Sequence, residues 1–237
     1  DVYKRQLASS GTFNNKNAAT GKTVNVVAGA LSGADAGNYT LTSSNNSTTA
    51  DITAKSITGT ITAANKVYDG NTTATTSASL SGLVIGDTVN LASSGSFTDK
   101  NAAIGKTVNI VAGALSGTDA GNYTLSSSNT TTTANISAKA ITASGVNAQN
   151  KTYDGNTSAT ISGGTLNGVI GGDTVNLTSS GSFTDKNVAN GKTVNISNTL
   201  SGTDANNYSI SNSTTTANIT AKGLLLYTSD AADDSLR

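Results

Sequence analysis

Cysteine, histidine and glutamate are all absent from this sequence of 237 residues. Without cysteine, the chain has neither disulfide bonds nor a thiolate zinc site. Without these three residue types it has no ordinary catalytic triad, no thiol nucleophile and no glutamate acid or base, and its Asp, Ser and Lys residues show no catalytic spacing. The sequence therefore predicts a protein that is not an enzyme and that has no catalytic, cofactor-binding or metal-binding residues.

Charged and aromatic residues are scarce, at 12% and 4%, and the formal net charge is +0. A nucleic-acid-binding protein needs a basic face, and a membrane-spanning helix needs a long apolar run. We therefore expect no nucleic-acid partner and no membrane insertion in this segment. Methionine is absent, even at position 1, and no secretory signal pattern is present. We expect the start of the gene, with any export signal, to lie outside this segment.

What the sequence does contain is a tandem repeat rich in Thr, Ser, Asn, Gly and Val. The motif N-K-x-Y-D-G-N occurs at 65–71 and 150–156, and F-x-x-K-N begins at Phe13, Phe97 and Phe183. A third motif, S-G-x-D-A-x-N-Y, ends at Tyr39, Tyr123 and Tyr208. The period of about 85 residues is that of a small domain, and it is too long for a solenoid rung or for a β-helical ice-binding array.

The repeats predict the domain boundaries. Residues 7–54 match the second half of a copy, and 55–138 and 139–222 are complete copies. Residues 1–6 depart from the repeat, and residues 223–237 consist of a repeat stub and a tail without a counterpart in the repeat. The stretches D-V-Y-K-R-Q at the start and L-L-Y-T-S-D-A-A-D-D near the end resemble translated sequencing-adapter read-through, so we expect these end segments to be foreign to the protein.

The pattern within each copy favours an all-β fold. In the first complete copy we predict strands near 57–61, 72–77, 88–91, 95–98, 106–111, 123–127 and 132–137, with Val89, Leu91, Val108 and Ile110 pointing inward. The Asp-Gly pair at 69–70 predicts a type I′ hairpin turn. About seven short strands per copy are typical of an antiparallel, immunoglobulin-like β-sandwich. Copies meet at Ala138 and Lys139 without a flexible spacer, which predicts tandem domains in an extended, tightly coupled array.

The tyrosines admit a structural and a functional interpretation. Tyr123, after D-A-G-N, has the spacing of a tyrosine corner, in which a buried ring turns its hydroxyl onto nearby backbone. The alternative is a surface Tyr–Asp pair that contacts a ligand. Tyr68 and Tyr153 either pack across a neighbouring strand or stack on a sugar ring.

The sequence contains three other candidate sites. Asp69, Asp87, Asp99 and Asp119 offer oxygen ligands for calcium between domains, but no calcium-binding loop pattern is present, and Asp in turns usually bonds its own backbone. Lys100 and Asn101 precede G-K-T, yet the earlier Gly of a phosphate-binding loop is missing. A Lys–Asn isopeptide bond would need a buried acid beside the pair, and no residue stands out as that acid.

Taken together, the motifs of residues 7–222 resemble the YDG-domain repeats of large bacterial surface and secreted proteins, which include filamentous-haemagglutinin-like adhesins. In chain order these motifs are A-K-x-I-T, N-K-x-Y-D-G-N-T, G-D-T-V-N-L, D-K-N, G-K-T-V-N and D-A-x-N-Y. The resemblance implies an extracellular or cell-surface protein whose repeats form a stalk and whose partners are the neighbouring repeats. The alternative is a set of weak modules that bind glycans or proteins of host or environmental surfaces by avidity.

Overall fold

The chain is built almost entirely from β-strands. The computed structural model describes residues 6–42 and 46–225, which contain nineteen strands and three 3₁₀ turns but no α-helix. The predicted all-β class is confirmed. None of the described residues belongs to a helix that is long and apolar enough to cross a membrane. The end segments predicted to be foreign lie outside the described residues, except for Gln6 and residues 223–225.

The first repeat contributes a single sheet. It contains β1 (Gln6–Phe13), β2 (Ala19–Ser32) and β3 (Ser47–Ile52), paired antiparallel in the order β1-β2-β3. Phe13 on β1 is 39% exposed, whereas its counterparts Phe97 and Phe183 are each 2% exposed. The half copy therefore leaves uncovered a ring that the complete copies bury.

Each complete repeat has eight strands. The second repeat contains β4 (Lys55–Ala63), β5 (Lys66–Val67), β6 (Thr73–Ala74), β7 (Thr76–Ser81), β8 (Asn90–Phe97), β9 (Ala103–Ser116), β10 (Tyr123–Ser128) and β11 (Thr131–Ser137). The third contains β12 (Lys139–Ala148), β13 (Lys151–Thr152), β14 (Ser158–Ala159), β15 (Ile161–Asn167), β16 (Asn176–Phe183), β17 (Ala189–Ser201), β18 (Tyr208–Ile210) and β19 (Ser213–Thr220). The two short strands predicted at 88–91 and 95–98 are replaced by the single strand β8.

The strands of the third repeat form two sheets, with orders β15-β12-β18 and β13-β19-β17-β16-β14. Most pairs are antiparallel, but β12 pairs in parallel with β18, and β13 with β19. The sheets are thus mixed rather than purely antiparallel as predicted. Both parallel pairs join strands that are far apart in sequence, and such long crossovers are what parallel pairing requires.

The second repeat follows the same plan. Its three-stranded sheet has the order β10-β4-β7, with β10 and β4 parallel. Strands β11, β9, β8 and β6 lie side by side in that order, and the end of β11 pairs in parallel with β5.

An apolar core lies between the two sheets of the third repeat. Its buried side chains from the five-stranded sheet are Phe183, Val194, Ala217 and Ile219. Ile161, from the three-stranded sheet, packs against them. In the second repeat Val108 is fully buried and Ile110 is 7% exposed, which confirms the inward positions predicted on that strand. Each such side chain contributes about 1.5–3 kcal/mol when it is fully buried.

The Asp-Gly segment does not form the predicted type I′ hairpin. In the third repeat the flanking strands β13 and β14 pair with β19 and β16 and lie at opposite edges of the sheet. Gly155 has the expected positive φ of 83°. The loop is organised by Lys151, whose Nζ donates to Asp154 Oδ1 at 2.8 Å and to the two oxygens of Asn156 at 2.8 and 3.0 Å. A loop that surrounds an ammonium group in this way is wider than a two-residue turn.

The chain divides into two compact units that do not follow the repeat boundaries. Unit 1 comprises the chain up to Ala64 together with Thr72–Thr98 and Gly105–Ala134. Unit 2 comprises Asn65–Asn71, Asp99–Ile104 and the chain from Asn135 onward. Three pieces of the second repeat are therefore packed in the same unit as the third repeat.

Gly117 provides a test of this fold. Its φ is +113°, and an added Cβ would overlap the backbone oxygen of Thr88. We expect Gly117→Ala to destabilise the protein by more than about 1 kcal/mol, since both the positive φ and the close backbone approach exclude a side chain. Gly121→Ala, in the same loop, should stay within about 0.5 kcal/mol because nothing lies within 4 Å of its added Cβ. Urea denaturation of both variants measures this difference, and equal stabilities would contradict the assigned loop geometry.

Candidate functional site: a Lys–Asp–Tyr cluster at the repeat junctions

Among the described residues of unit 2, the most enclosed carboxylate cluster is centred on Asp173, whose side chain is 4% exposed. Its Oδ2 accepts hydrogen bonds from the hydroxyls of Tyr208, at 2.6 Å, and Tyr68, at 2.8 Å. Its Oδ1 lies 2.7 Å from Lys100 Nζ. Asp173 and Tyr208 belong to the third repeat, whereas Tyr68 and Lys100 belong to the second. We call these four residues, with Asp204 and Asn207, the downstream junction cluster.

The acidic side of this cluster is formed by two loops of the third repeat that hold each other. The N–H of Asp173 donates to the Ile170 carbonyl at 3.1 Å, and the N–H of Ile170 donates to the Tyr208 hydroxyl at 3.0 Å. Asp204 Oδ2 accepts the N–H of Thr174 at 2.9 Å, which leaves its Oδ1 3.4 Å from Lys100 Nζ. The Asp204 carboxylate is therefore fixed by a backbone N–H, whereas the Asp173 carboxylate is fixed within its own domain by the Tyr208 hydroxyl.

The basic side is a tight turn between β8 and β9. Asp99 Oδ1 accepts the N–H of Asn101 at 2.8 Å, an Asx-type bond that sets the turn on which Lys100 lies. The next residue, Ala102, donates its N–H to Asn207 Oδ1 at 2.8 Å. Asn207 is only 3% exposed, so this backbone–amide bond is shielded from water.

Tyr68 closes the cluster on the side of the Y-D-G motif. It is 2% exposed, and its ring meets the Tyr208 ring edge-on, with centroids 5.4 Å apart and an interplanar angle of 77°. Lys100 Nζ lies 5.7 Å from the centroid of Tyr68, within the range of a cation–π contact. The packing interpretation of this tyrosine is correct, but its partner is a tyrosine of the next repeat rather than a hairpin strand. Tyr153, its counterpart, is partly buried against the core of its own repeat.

The charges in the cluster favour an ion pair. Burial of Asp173 raises its pKa, but hydrogen bonds from Lys100, Tyr208 and Tyr68 outweigh this effect and hold the pKa below its usual value. The hydrogen bond to Asp173 raises the pKa of Lys100, and burial raises the pKa of Tyr208 to about 12. A protonated Lys100 has no lone pair with which to attack the amide carbon of an Asn, so the arrangement favours a non-covalent pair over the Lys–Asn isopeptide bond.

Unit 1 contains the same arrangement one repeat earlier. Lys16 of the first repeat lies 2.6 Å from Asp87 and 3.0 Å from Asp119 of the second. The Tyr123 hydroxyl donates to Asp87 at 2.6 Å, and the Ala18 N–H donates to the Asn122 side chain at 2.7 Å. We call these residues the upstream junction cluster. The Lys16 side chain is 65% exposed and that of Lys100 is 37% exposed. Lys100 also lies over the ring of Tyr68, and no described tyrosine ring takes this place beside Lys16.

Both clusters lie within segments that match one family. The model of the YDG domain matches residues 4–50, 53–133 and 137–217. The chain belongs to the YDG domain family. No curated protein and no solved structure gives a significant match to the chain. In each cluster the lysine comes from one YDG domain and the Asp pair, Tyr and Asn come from the next.

The tyrosines that end the D-A-x-N-Y motif behave partly as the tyrosine-corner hypothesis predicts. Tyr123 and Tyr208 are each 6% exposed, and their hydroxyls accept backbone N–H groups from Val84 and Ile170 at 3.0 Å. The buried anchor is confirmed. That backbone, however, belongs to the loop before β8 or β16, so these tyrosines link two distant loops rather than closing a local corner.

Sequence reasoning missed the role of the paired charges. Asp87 and Asp119 were considered as calcium ligands, but they meet around the ammonium group of Lys16. Asp69 is bonded instead to Lys66, at 2.7 Å. Among the described residues, no group of three or more His, Cys, Asp or Glu side chains could hold a metal ion. A usable signal was present in the sequence, since each complete copy carries one D-K-N lysine and one Asp in each of the G-D-T and D-A-x-N-Y motifs.

Replacing Lys100 by Met should loosen the downstream cluster, because the buried Asp173 carboxylate loses its counter-charge. We expect amide hydrogen exchange at Ala102, measured by NMR, to accelerate several-fold. The matched control is Lys186→Met in the third YDG domain, since Lys186 occupies the same motif and no described carboxylate pairs with it. Equal exchange at Ala102 in the two variants would contradict the cluster.

Acid should weaken the downstream cluster through Asp173. Because the pKa of the folded state lies below the unfolded value of about 3.9, the ionised carboxylate stabilises the fold above roughly pH 4. This contribution is lost as the pH falls through the lowered pKa. Urea denaturation at successive pH values should show a shallower acid loss for Asp173→Asn than for the parent. Parallel curves for the two proteins would show that Asp173 has no altered pKa.

Proposed function

We propose that this chain is a structural spacer, a stalk segment of a large exported bacterial surface protein of the adhesin type, and that it has no enzymatic activity. The observation that carries the proposal is the recurrence of the junction cluster. The same Lys, Asp pair, Asn and Tyr meet at two successive repeats. A repeated polar contact of this kind couples neighbouring domains, as a spacer requires.

Backbone connectivity supports the same proposal. Strand β11 ends at Ser137 and β12 begins at Lys139, so only Ala138 separates the two strands. The Ser137 carbonyl also accepts the N–H of Tyr68 at 2.9 Å. A one-residue link has few free torsions, in contrast to a Gly- or Ser-rich linker. Domain rotation would have to break paired backbone as well as the junction cluster.

The location of the aromatic side chains favours the spacer over the glycan-binding alternative. A lectin-like module needs exposed rings at the same place on each copy, but Tyr68, Tyr123 and Tyr208 are all buried. Extracellular location and membership of an adhesin rest on the resemblance to repeats of bacterial surface proteins. The neutral net charge supports a partner set without nucleic acid.

Small-angle X-ray scattering tests the spacer proposal. A strand of about ten residues spans roughly 33 Å, so we expect each complete domain to lengthen the particle by a similar amount. The parent should give the profile of an elongated, stiff particle, and the Lys16→Met/Lys100→Met double variant should give a broader distribution of interdomain distances. Lys186→Met should match the parent. A compact parent profile, or one that already shows broadly distributed distances, would contradict the spacer function.

A further inference from the structure

The third domain carries the same lysine-bearing surface as the second, but no described residue covers it in the same way. In the second domain Tyr68 is 2% exposed, and a Cβ added at Gly70 would lie 3.2 Å from Ile170. In the third domain nothing lies within 4 Å of a Cβ added at Gly155, and Val188 is 51% exposed. We call the surface formed by Tyr153, Gly155, Lys186 and Val188 the donor face.

The turn that carries Lys186 in the donor face has the same geometry as the turn that carries Lys100 in the second domain. Asp185 Oδ1 accepts the N–H of Asn187 at 2.7 Å, as Asp99 does for Asn101 at 2.8 Å. The same Asp185 atom lies 2.6 Å from Lys192 Nζ, which anchors the turn to β17. Lys186 therefore lies on an ordered turn of the same form as the turn that carries Lys100.

We propose that the donor face binds a further YDG domain, one that presents two Asp carboxylates, an Asn amide and a Tyr hydroxyl as Asp173, Asp204, Asn207 and Tyr208 do. This inference rests on the proposed spacer function and names the partner that continues it. Lys186 pairs with the two carboxylates, the partner's Tyr packs on Tyr153, and the N–H of Val188 donates to the partner's Asn. Both existing clusters show this set of contacts in part or in full.

The partner is a domain beyond the three described here rather than a second copy of this chain. The two acceptor sites in the described part of the chain are already filled, that of Asp87 by Lys16 and that of Asp173 by Lys100. A second copy could offer its own acceptor only by breaking one of these ion pairs. The contact is also directional, because a lysine-bearing face meets an acidic one, and such heterologous contacts extend an array domain by domain.

Val188 is the position at which the contact can be followed. The equivalent positions in the preceding domains are Ala18 and Ala102, which are partly buried in the filled clusters. Val188 is 51% exposed, so the described residues leave this position open in the third domain.

The test inserts a second copy of residues 140–222 directly after Lys222, so that the whole chain is kept and one acceptor domain is added. Amide exchange at Val188 should slow several-fold relative to the unextended protein. Lys186→Met in the extended protein should restore fast exchange, and so should Asp173→Asn placed in the added copy alone. Ala102 serves as an internal reference that should stay protected throughout.

Unchanged exchange at Val188 with Ala102 still protected would overturn the inference. Protection that persists in both the lysine and the aspartate variants would also overturn it, because the contact would then not use the proposed ion pair. Neither result would affect the spacer function, which depends on scattering by the unextended protein. If Val188 is protected but the scattering test fails, the contact is established and the proposed spacer function is wrong.

Discussion

The other junction contacts depend on one ion pair. Its carboxylate is buried in one domain, and its positive charge comes from the preceding domain. Asp173 is 4% exposed, and it keeps its charge because Tyr208 from its own domain and Tyr68 and Lys100 from the domain before it all bond to it. Removing an anion from water costs several kcal/mol unless such partners replace the solvent. The acidic pocket of one YDG domain is therefore completed only when the preceding domain is in place.

This dependence explains why the compact units do not coincide with the repeats. Residues 65–71 and 99–104, which supply Tyr68 and Lys100, are grouped with the third repeat although they belong to the second in sequence. In repeat proteins stability is the sum of terms within each repeat and terms between nearest neighbours. The junction cluster is a neighbour term of this kind, and it is made from side chains rather than from a shared apolar core.

Ion pairs also act within single domains. The chain has 14 basic and 14 acidic residues, and among the described lysines Lys16, Lys66, Lys100, Lys151 and Lys192 each pair with an Asp. Lys66 and Lys151 hold the Y-D-G loops together within a domain, whereas Lys16 and Lys100 connect domains. The same two residue types thus serve two purposes. Although charged residues are few in the sequence, the Y-D-G loops and the domain junctions both depend on them.

By itself the sequence determined the repeat, the all-β class, the inward positions of Val108 and Ile110 and the burial of Tyr123. Each of these follows from a local period or from the scarcity of apolar and aromatic residues, which leaves few ways to build a core. It did not determine the mixed strand pairing, the open Y-D-G loop or the junction cluster. Tyr68 and Asp173 are 105 residues apart in the chain, and no local pattern records which distant carboxylate will face a given ring. Only the tertiary structure decided that contact. The buried site in which Tyr68 and Lys100 bond to Asp173 exists only after two domains have folded against each other.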